Sequence, residues 1–479
     1  MKIAAKDNPV RLGWLREQGL RMDAAPYLSG AFEARKLLER LPRTVLLREV
    51  TRGGAGIFHA GRPLRRWVTA PEHGVRFFSS TDIMEADFSN LPLISKTSVA
   101  LNPRLTIRAG WTLITRSGNV GRIAYARPDI DGYTCSEHVM RVVPGQGLIP
   151  PGYLNTFLRS RFGVPIVASQ AYGAIIQHIE PHHIEGLPVP RFDSALEEEI
   201  HDLVEESATL RAEFQAGVVG ATEDLFRTAG LEELIDLRWH DQPRDLGFEQ
   251  RKLTPTTLRA LNYQPKTRRI LDALRDVGHR TLGEICKEKG KEEGGQLSRG
   301  LRFMRVDGAE DPRYSYQLVG QRQAFWLRPE GRWISKAKTS REVLVKDETI
   351  LVASQGTLGE NEVYCRPIFA TGAWLSYAYS EHFLRIRSGD PDIPGAYLFA
   401  FLRSEAMFRV LRSMSTGGKQ QDIHETLRAQ IPVPVLTAPD RERIAETVRS
   451  AFRKRDEADK KEDRALELLE QAVLAHSAS

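Results

Sequence analysis

A long stretch of this chain is written twice. Ser136-Glu137-His138-Val139-Met140-Arg141-Val142 returns as Ser380-Glu381-His382-Phe383-Leu384-Arg385-Ile386, 244 residues further on. The same offset carries Phe157-Leu158-Arg159-Ser160 onto Phe401-Leu402-Arg403-Ser404, Gly173 onto Gly417, Ile179 onto Ile423, and Leu187-Pro188-Val189-Pro190 onto Ile431-Pro432-Val433-Pro434. Upstream the offset drifts as loop insertions would make it. Ile94-Ser95-Lys96 matches Ile334-Ser335-Lys336 at 240, and the Gly121 turn matches the Gly359 turn at 238. Shared order with shared spacing means duplication, so the fold must be built from two like halves.

Each copy closes on a long helical segment. After Pro190, Leu196, Ile200, Leu203, Leu210, Phe214, Val218, Ala221 and Leu225 recur at helical steps broken only at Ser207. After Pro434, Ile444, Val448, Leu466, Leu469 and Val473 do the same. At the offset of 244, Ile200 falls on Ile444, Val204 on Val448 and Leu225 on Leu469, so both helices belong to the repeat. The second has a strongly charged middle, Arg453 to Arg464, and the first carries Gly217 and Gly220, each costing about 1 kcal/mol relative to alanine. Two such helices can shelter facing apolar stripes as an antiparallel pair; the alternative is that each packs on its own globular part.

Those globular parts mix strand-like runs, Trp111 to Thr115 and Thr349 to Ala353, with helical ones around Tyr153 to Arg161 and Tyr397 to Leu411. Each reads as an α/β or α+β domain. Between them, 241–291 reads as a linker with a helix over Lys266 to Asp276, then a charged cluster from Lys287 to Glu293 and a Gly294-Gly295 break. A chain of 479 residues is too long for one ordinary core, and its net charge of +6 is compatible with a polyanionic partner without requiring one. Three scattered cysteines, Cys135, Cys286 and Cys365, offer neither a disulfide framework nor zinc-ligand spacing. No leader-like run opens the chain and the apolar stretch Ile393 to Leu402 is too short to cross a bilayer, so a cytoplasmic protein is expected.

The sequence carries none of the common catalytic constellations. Gly417-Gly418-Lys419 continues with Gln420 and has Ser413 where a phosphate-binding loop needs its first glycine. Ile149-Pro150-Pro151-Gly152 lacks both ends of an amino-methyltransferase signature, and Pro128-Asp129 and Pro391-Asp392 read as turns rather than nuclease carboxylates. His182-His183 reads as a solvated loop. The duplicated His138 and His382, each following Ser-Glu, read as structural histidines bonded to backbone.

What the copies share instead are turns rich in glycine and polar residues. Thr115 to Arg122 follows a strand, as does Ala353 to Glu360; a second turn, Ala171 to Ile179, is answered by Ser415 to Ile423. Glycine permits close approach of backbone to a ligand. Arg, Lys, Asn and Gln pair with base edges, while Ser, Thr and backbone amides hold phosphates. The candidate DNA contacts are therefore Lys96, Arg116, Ser117, Asn119, Arg122, Tyr172 and Gln177 in the first copy, and Lys336, Lys338, Gln355, Thr357, Lys419, Gln420 and Gln421 in the second. Arg116, Asn119 and Arg122 have non-identical counterparts, and similar frames with different tips would read different sequences.

The order of strand, Ser117-Gly118-Asn119-Val120-Gly121-Arg122 turn, Ser-Glu-His strand, Gly152-Tyr153-Leu154 helix, Tyr-Gly or Gly-Gly loop, Leu187-Pro188-Val189-Pro190 and long helix, given twice, resembles the specificity subunits of type I restriction-modification systems. The likeness runs from about Leu46 to Leu474. The second copy departs at Gly356-Thr357-Leu358-Gly359-Glu360, which lacks the arginine. The opening segment through Arg40 and the insertion near Lys287 are unusual for the family and point to a variant, such as the methylation-associated phage-defence systems.

The resemblance implies two target-recognition domains held apart by antiparallel helices, with a pseudo-two-fold repeat. It gives a helical segment at 1–40, recognition domains at 41–192 and 296–436, spacer helices at 193–230 and 437–479, and a linker at 231–295. Ile200, Val204, Phe214, Leu225, Ile444, Val448 and Leu469 mark the helices expected to bind partners. The chain itself would be non-catalytic, with no metal or cofactor of its own. Its partners would be double-stranded DNA, an adenine methyltransferase using S-adenosylmethionine and, in restriction complexes, a translocase-nuclease. A helix of about 35 residues spans roughly 50 Å, enough to set two readers on faces of the duplex about 34 Å apart. Two other readings stay open, a helical scaffold that reads no DNA and an enzyme with an unfamiliar site.

Overall fold

A computed structural model describes residues 10–17, 20–23, 25–172, 177–243, 245, 247–250, 253, 256–287 and 294–477. Gly173 and most of the charged cluster after Lys287 lie outside them. The chain forms two compact units: residues 1–84, 91–212 and 457–479, and residues 85–90 and 213–456. The division falls inside both long helices, Ser194–Thr228 and Ala438–Ser477.

In the first unit, strand Thr112–Thr115 lies antiparallel between Ile123–Tyr125 and Val139–Val142, with Ile57–Phe58 outside. A second sheet sets Gly74–Phe78 antiparallel to Leu93–Ser95 and parallel to Thr134–Cys135. In the second unit, Thr349–Ala353 lies between Pro367–Ala370 and Phe383–Arg387, with Gln296–Arg299 outside. There Ser315–Val319 pairs antiparallel with Gly331–Ser335 and parallel with Ala378–Tyr379. The central strands are buried on both faces, which is why neither shows an alternation of apolar and charged residues.

Register locates the insertions that shift the offset. Thr112 opposes Val142 as Ile350 opposes Ile386, at offsets of 238 and 244. The extra residues therefore sit in the connection after the central strand, residues 116–122 in the first unit and 354–366 in the second. Each Pro-Val-Pro segment forms a two-stranded ribbon, Pro188–Pro190 with Thr44–Leu46 and Pro432–Pro434 with His279–Thr281. Proline is tolerated there because such a ribbon is all edge.

These ribbons extend the repeat beyond what sequence matching found. Helix Ala31–Glu39 precedes the first ribbon and Pro265–Asp276 the second. Ahead of each helix a tyrosine hydroxyl donates to a carbonyl six residues back, Tyr27 to Arg21 at 2.9 Å and Tyr263 to Thr257 at 2.5 Å. The Arg21 guanidinium donates to the carbonyls of Ser169 and Ala171, and the Asn262 amide to those of Ser413 and Ser415, the same pair 244 residues on. The opening segment and the presumed linker are thus counterparts, one the first module of each half.

Within each unit the long helices run antiparallel. In the first, Ser207 Oγ donates to the Ala458 carbonyl, and Arg211 pairs with Asp459 and Glu462 at 2.8 and 3.0 Å. In the second, Phe214 meets Phe452 edge to face at 5.1 Å, and Arg443 pairs with Asp224 at 3.0 Å. Both of the expected packings are realised together, because Ile200, Val204, Ala465, Leu469 and Val473 join the core of the first globular part, while Phe214, Leu225, Ile444 and Val448 join that of the second. These stripe residues are buried inside their own units and cannot also face a partner subunit. Any helix surface offered to a partner is the opposite one. The charged middle of the second helix is explained the same way, since Asp459 and Glu462 are the partners of buried Arg211.

The two helical glycines differ in their surroundings. A Cβ on Gly217 would lie 2.9 Å from Ala451 Cβ, whereas one on Gly220 meets nothing within 4 Å. Gly217→Ala is therefore expected to wedge the helices apart and destabilise by about 1–3 kcal/mol, and Gly220→Ala to stabilise by about 0.5–1 kcal/mol. Urea midpoints of the two variants, moving in opposite directions, check this.

Candidate nucleic-acid interface

In the first unit the glycine turn is closed by its own backbone. Thr115 N–H donates to the Arg122 carbonyl at 2.8 Å and Thr115 Oγ1 to that of Asn119 at 2.5 Å. Gly121 has a φ of 88° and faces Ala168, so a side chain there would be strained and crowded. Gly118 N–H donates to the Gln177 carbonyl, and in the second unit Gly356 and Gln421 exchange the matching pair of backbone bonds. The two turns singled out from sequence are thus stitched together in each unit by equivalent residues.

Around the first turn lies a polar network drawn from distant segments. Arg116 pairs with Glu180, whose other oxygen meets His59 Nε2 at 3.1 Å. Ser117 Oγ sits between His138 Nδ1 at 2.9 Å and His178 Nδ1 at 2.7 Å, within hydrogen-bond distance of both rings. Burial by itself pushes the Glu180 carboxyl up, but Arg116 and His59 more than offset it and hold the group below the ordinary carboxylate range. His138 bonds a side chain rather than backbone, and burial draws its pKa below the usual imidazole value. His182 and His183 sit on the short helix Pro181–Ile184, where His183 Nδ1 accepts the Glu180 N–H, so His183 is a capping residue.

The second unit solves the same frame differently. Gln355 stands where Ser117 does and exchanges two bonds with Gln321, at 2.8 and 3.2 Å. The Gln420 amide donates to Gln355 Oε1 at 3.4 Å. Beside them opens a polar cleft of about 650 Å3 lined by Arg299, Arg302, Phe303, Arg305, Gln355, Glu381 and His382. Arg299 pairs with Asp422 at 2.7 Å.

The sequence candidates divide by exposure. Asn119, Tyr172, Gln177, Thr357, Lys419 and Gln420 are exposed at the turns. Arg116, Arg122 and Gln355 are half-buried, and Ser117 and Gln421 are buried and bonded within the turn. Lys96 is exposed at the start of the helix Lys96–Leu101 and Lys338 at the end of the helical turn Lys336–Lys338, while Lys336 is tied to the Pro312 carbonyl over the Tyr316 ring. Among the described residues no bond joins these three lysines to the turns.

Sequence reading missed the basic segments flanking the turns, Arg62, Arg65 and Arg66 in the first unit and Arg299, Arg302 and Arg305 in the second. Arg62, Arg66 and Arg302 are exposed, and no side-chain partner is found for them among the described residues. A signal was present, since Arg65 falls on Arg305 at the same offset of 240 that relates Ser95 to Ser335. Each of these arginines meets the glutamate of a Ser-Glu-His copy, Arg65 with Glu137 at 2.9 Å and Arg305 with Glu381 at 2.7 Å. Burial raises both carboxyls, but their own backbone N–H groups and the arginines lower them further, so both stay ionised.

Among the described residues, Glu198, His201 and Asp202 on the first long helix have metal-ligand spacing. The Gly152 N–H donates to His201 Nδ1 at 3.1 Å, which leaves the proton of the neutral ring on Nε2. That ring is poorly suited to ligation. No helix among the described residues is long and apolar enough to cross a membrane.

No protein-family model and no curated protein matches the chain. Among solved structures it is similar to a type I restriction-modification S subunit from M. genitalium, with 12% identity over 91% of this chain and 95% of that one and a TM-score of 0.35. It is also similar to the HsdS subunit from Thermoanaerobacter tengcongensis, with 15% identity over 91% and 97% of the two chains and a TM-score of 0.26. A third similar structure, from work on assembly and conformational transition of the type I R-M system, has 16% identity over 91% and 98% and a TM-score of 0.24.

Proposed function

We propose that this chain is the DNA sequence-specificity subunit of a restriction-modification or related defence system, each unit reading one half of a bipartite duplex target. The observation that carries this reading is the contrast within the repeat. Both units keep the frame, the stitched turns and the arginine–glutamate pair, while the exposed tips differ: Asn119 stands against Thr357, Lys419 and Gln420 take the places of Ile175 and Ile176 in the sequence, and Gln177 is exposed where its counterpart Gln421 is buried. A shared frame suits a ligand whose backbone is the same everywhere, and different tips suit base edges that are not.

In this reading the chain performs no reaction. It directs an adenine methyltransferase, which carries S-adenosylmethionine, and in restriction complexes a translocase-nuclease, to the chosen site in the cytoplasm. Methylome sequencing of cells that carry the gene with its neighbours should show one split methylated motif, lost when this gene is deleted. Asn119→Ala combined with Gln177→Ala is expected to relax one half of that motif only, by roughly 1–3 kcal/mol of discrimination per lost base contact. Unchanged methylation in the double variant would favour a scaffold that reads no DNA.

A further inference from the structure

The Ser-Glu-His copies do more than hold a strand. In each unit the glutamate of the tripeptide grips an arginine with Oε2 and faces the following histidine with Oε1. The first unit has Arg65 Nη2 to Glu137 Oε2 at 2.9 Å and His138 Nε2 to Glu137 Oε1 at 3.5 Å; the second has Arg305 Nη2 to Glu381 Oε2 at 2.7 Å and His382 Nε2 to Glu381 Oε1 at 3.8 Å. Exposure matches as well. The two arginine side chains are both 36% exposed, and the glutamates behind them only 10% and 17%. An aromatic ring supports each guanidinium, Phe77 at 5.5 Å and Phe303 at 5.9 Å.

Beyond the shared frame, the side chains beside this constellation have diverged. Ser117 has become Gln355, Arg116 has become Ser354, and Pro63-Leu64, between the two arginines of the basic segment, has become Phe303-Met304. A three-residue arrangement kept at two sites whose surroundings differ answers to something that both sites meet. In a duplex the groups that recur at every position are the backbone phosphates. A guanidinium has five N–H donors in a fixed fork, and the glutamate occupies one edge of it, leaving the rest to an anion.

We propose that Arg65 and Arg305, each oriented by its glutamate and ring, bind one backbone phosphate apiece at equivalent positions of the two half-sites. This rests on the DNA-reading function and assigns the contact that sets register, separate from those that set sequence. Arg62 falls on Arg302 at the same offset, but among the described residues no side-chain partner orients these two or Arg66, and they carry no part of the proposal.

The test measures binding of the full chain, purified with any subunits that accompany it, to a fluorescent sequence-random duplex over a range of KCl. Each phosphate contact contributes about 0.9 to the slope of log affinity against log salt. Arg65→Ala and Arg305→Ala should each lower that slope by about 1, and the double variant by about 2, with affinity falling alike on every sequence. Arg65→Lys and Arg305→Lys, which keep the charge without the fork, should keep the slope. Arg227→Ala, a change at an exposed helical arginine, should leave it unchanged and so exclude an effect of net charge. The phosphate assignment is overturned if the wild-type chain binds with a steep salt dependence that both alanine variants retain, or if lysine and alanine variants lose slope equally. Salt-independent or absent duplex binding by the wild-type preparation would instead overturn the DNA-reading function itself.

Discussion

Truncation after Asp456 is expected to unfold the first unit and leave the second folded. Although the missing residues, 457–479, lie farthest in sequence from the first globular part, they complete its core. Ala465, Leu469 and Val473 are fully buried among Tyr153, Leu154, Ile200 and Val204. Burying Leu469 and Val473 is worth roughly 1.5–3 kcal/mol each, before counting the surface they cover on their neighbours. The same segment supplies both carboxylates of Arg211, which is 2% exposed, and the Glu462 partner of Arg159 at 3.0 Å. Stranding a buried cation costs about 3–5 kcal/mol. Together these losses reach the whole stability of an ordinary domain, about 5–15 kcal/mol. The second unit keeps its own helix pair, with Phe214, Gly217, Ala451 and Phe452 intact. Hydrogen exchange read by mass spectrometry should show amides of 31–84 and 91–212 losing protection while those of 85–90 and 213–456 keep theirs. Full protection of the first unit in the truncated chain would defeat this account.

The same exchange of helix ends explains what could and could not be read from sequence. The offset of 244 was visible because the residues that carry it are frame residues with no room to change. Arg141 and Arg385, the tyrosines of Gly152-Tyr153-Leu154 and Gly395-Ala396-Tyr397, and the two Pro-Val-Pro strands are all buried in the same roles. Tyr153 OH donates to the Pro190 carbonyl at 2.6 Å and Tyr397 OH to that of Pro434 at 2.8 Å. The opening module escaped notice because its duty is to cap backbone carbonyls, and a carbonyl accepts equally from the guanidinium of Arg21 or the amide of Asn262.

The turn residues were found, but their roles were not. Whether a polar side chain points to solvent or is satisfied internally depends on partners far away in the chain. Arg116 is held by Glu180 and Ser117 by His178, more than 60 residues on, and nothing local reveals either partner. The apolar stripes were legible as stripes. What they face was not, because a period of 3.6 states only that a face is buried and leaves open whether the cover is the same chain or another.

Arg141→Met is expected to destabilise the first unit by about 3–5 kcal/mol, although among the described residues no acid forms an ion pair with this arginine. Its guanidinium is completely buried and donates four hydrogen bonds to carbonyls, of Ser136 at 3.0 Å, Val139 at 2.6 Å, Leu105 at 3.0 Å and Cys135 at 2.6 Å. It thereby ties its own strand to the turn at Pro103–Leu105 and to the strand Thr134–Cys135. Burial lowers its pKa from the ordinary arginine value, and the converging carbonyl dipoles take the place of a counter-ion. Arg385 repeats the arrangement on the carbonyls of Glu342, Val343 and Leu344, at 2.7, 3.3 and 3.1 Å. Methionine fills much of the volume but leaves buried acceptors unsatisfied, at about 1–3 kcal/mol for each one that water cannot reach. Lysine does little better, since one ammonium cannot serve carbonyls arrayed around a planar fork. In a unit of this size the loss should lower the melting temperature of the first unit by roughly 6–20 °C. Arg385→Met should lower that of the second, and the effects should add in the double variant because the two sites share no partner. A melting temperature for Arg141→Met within about 2 °C of the parent would show that the carbonyls find water when the guanidinium is gone, and that the frame is held by its apolar core alone.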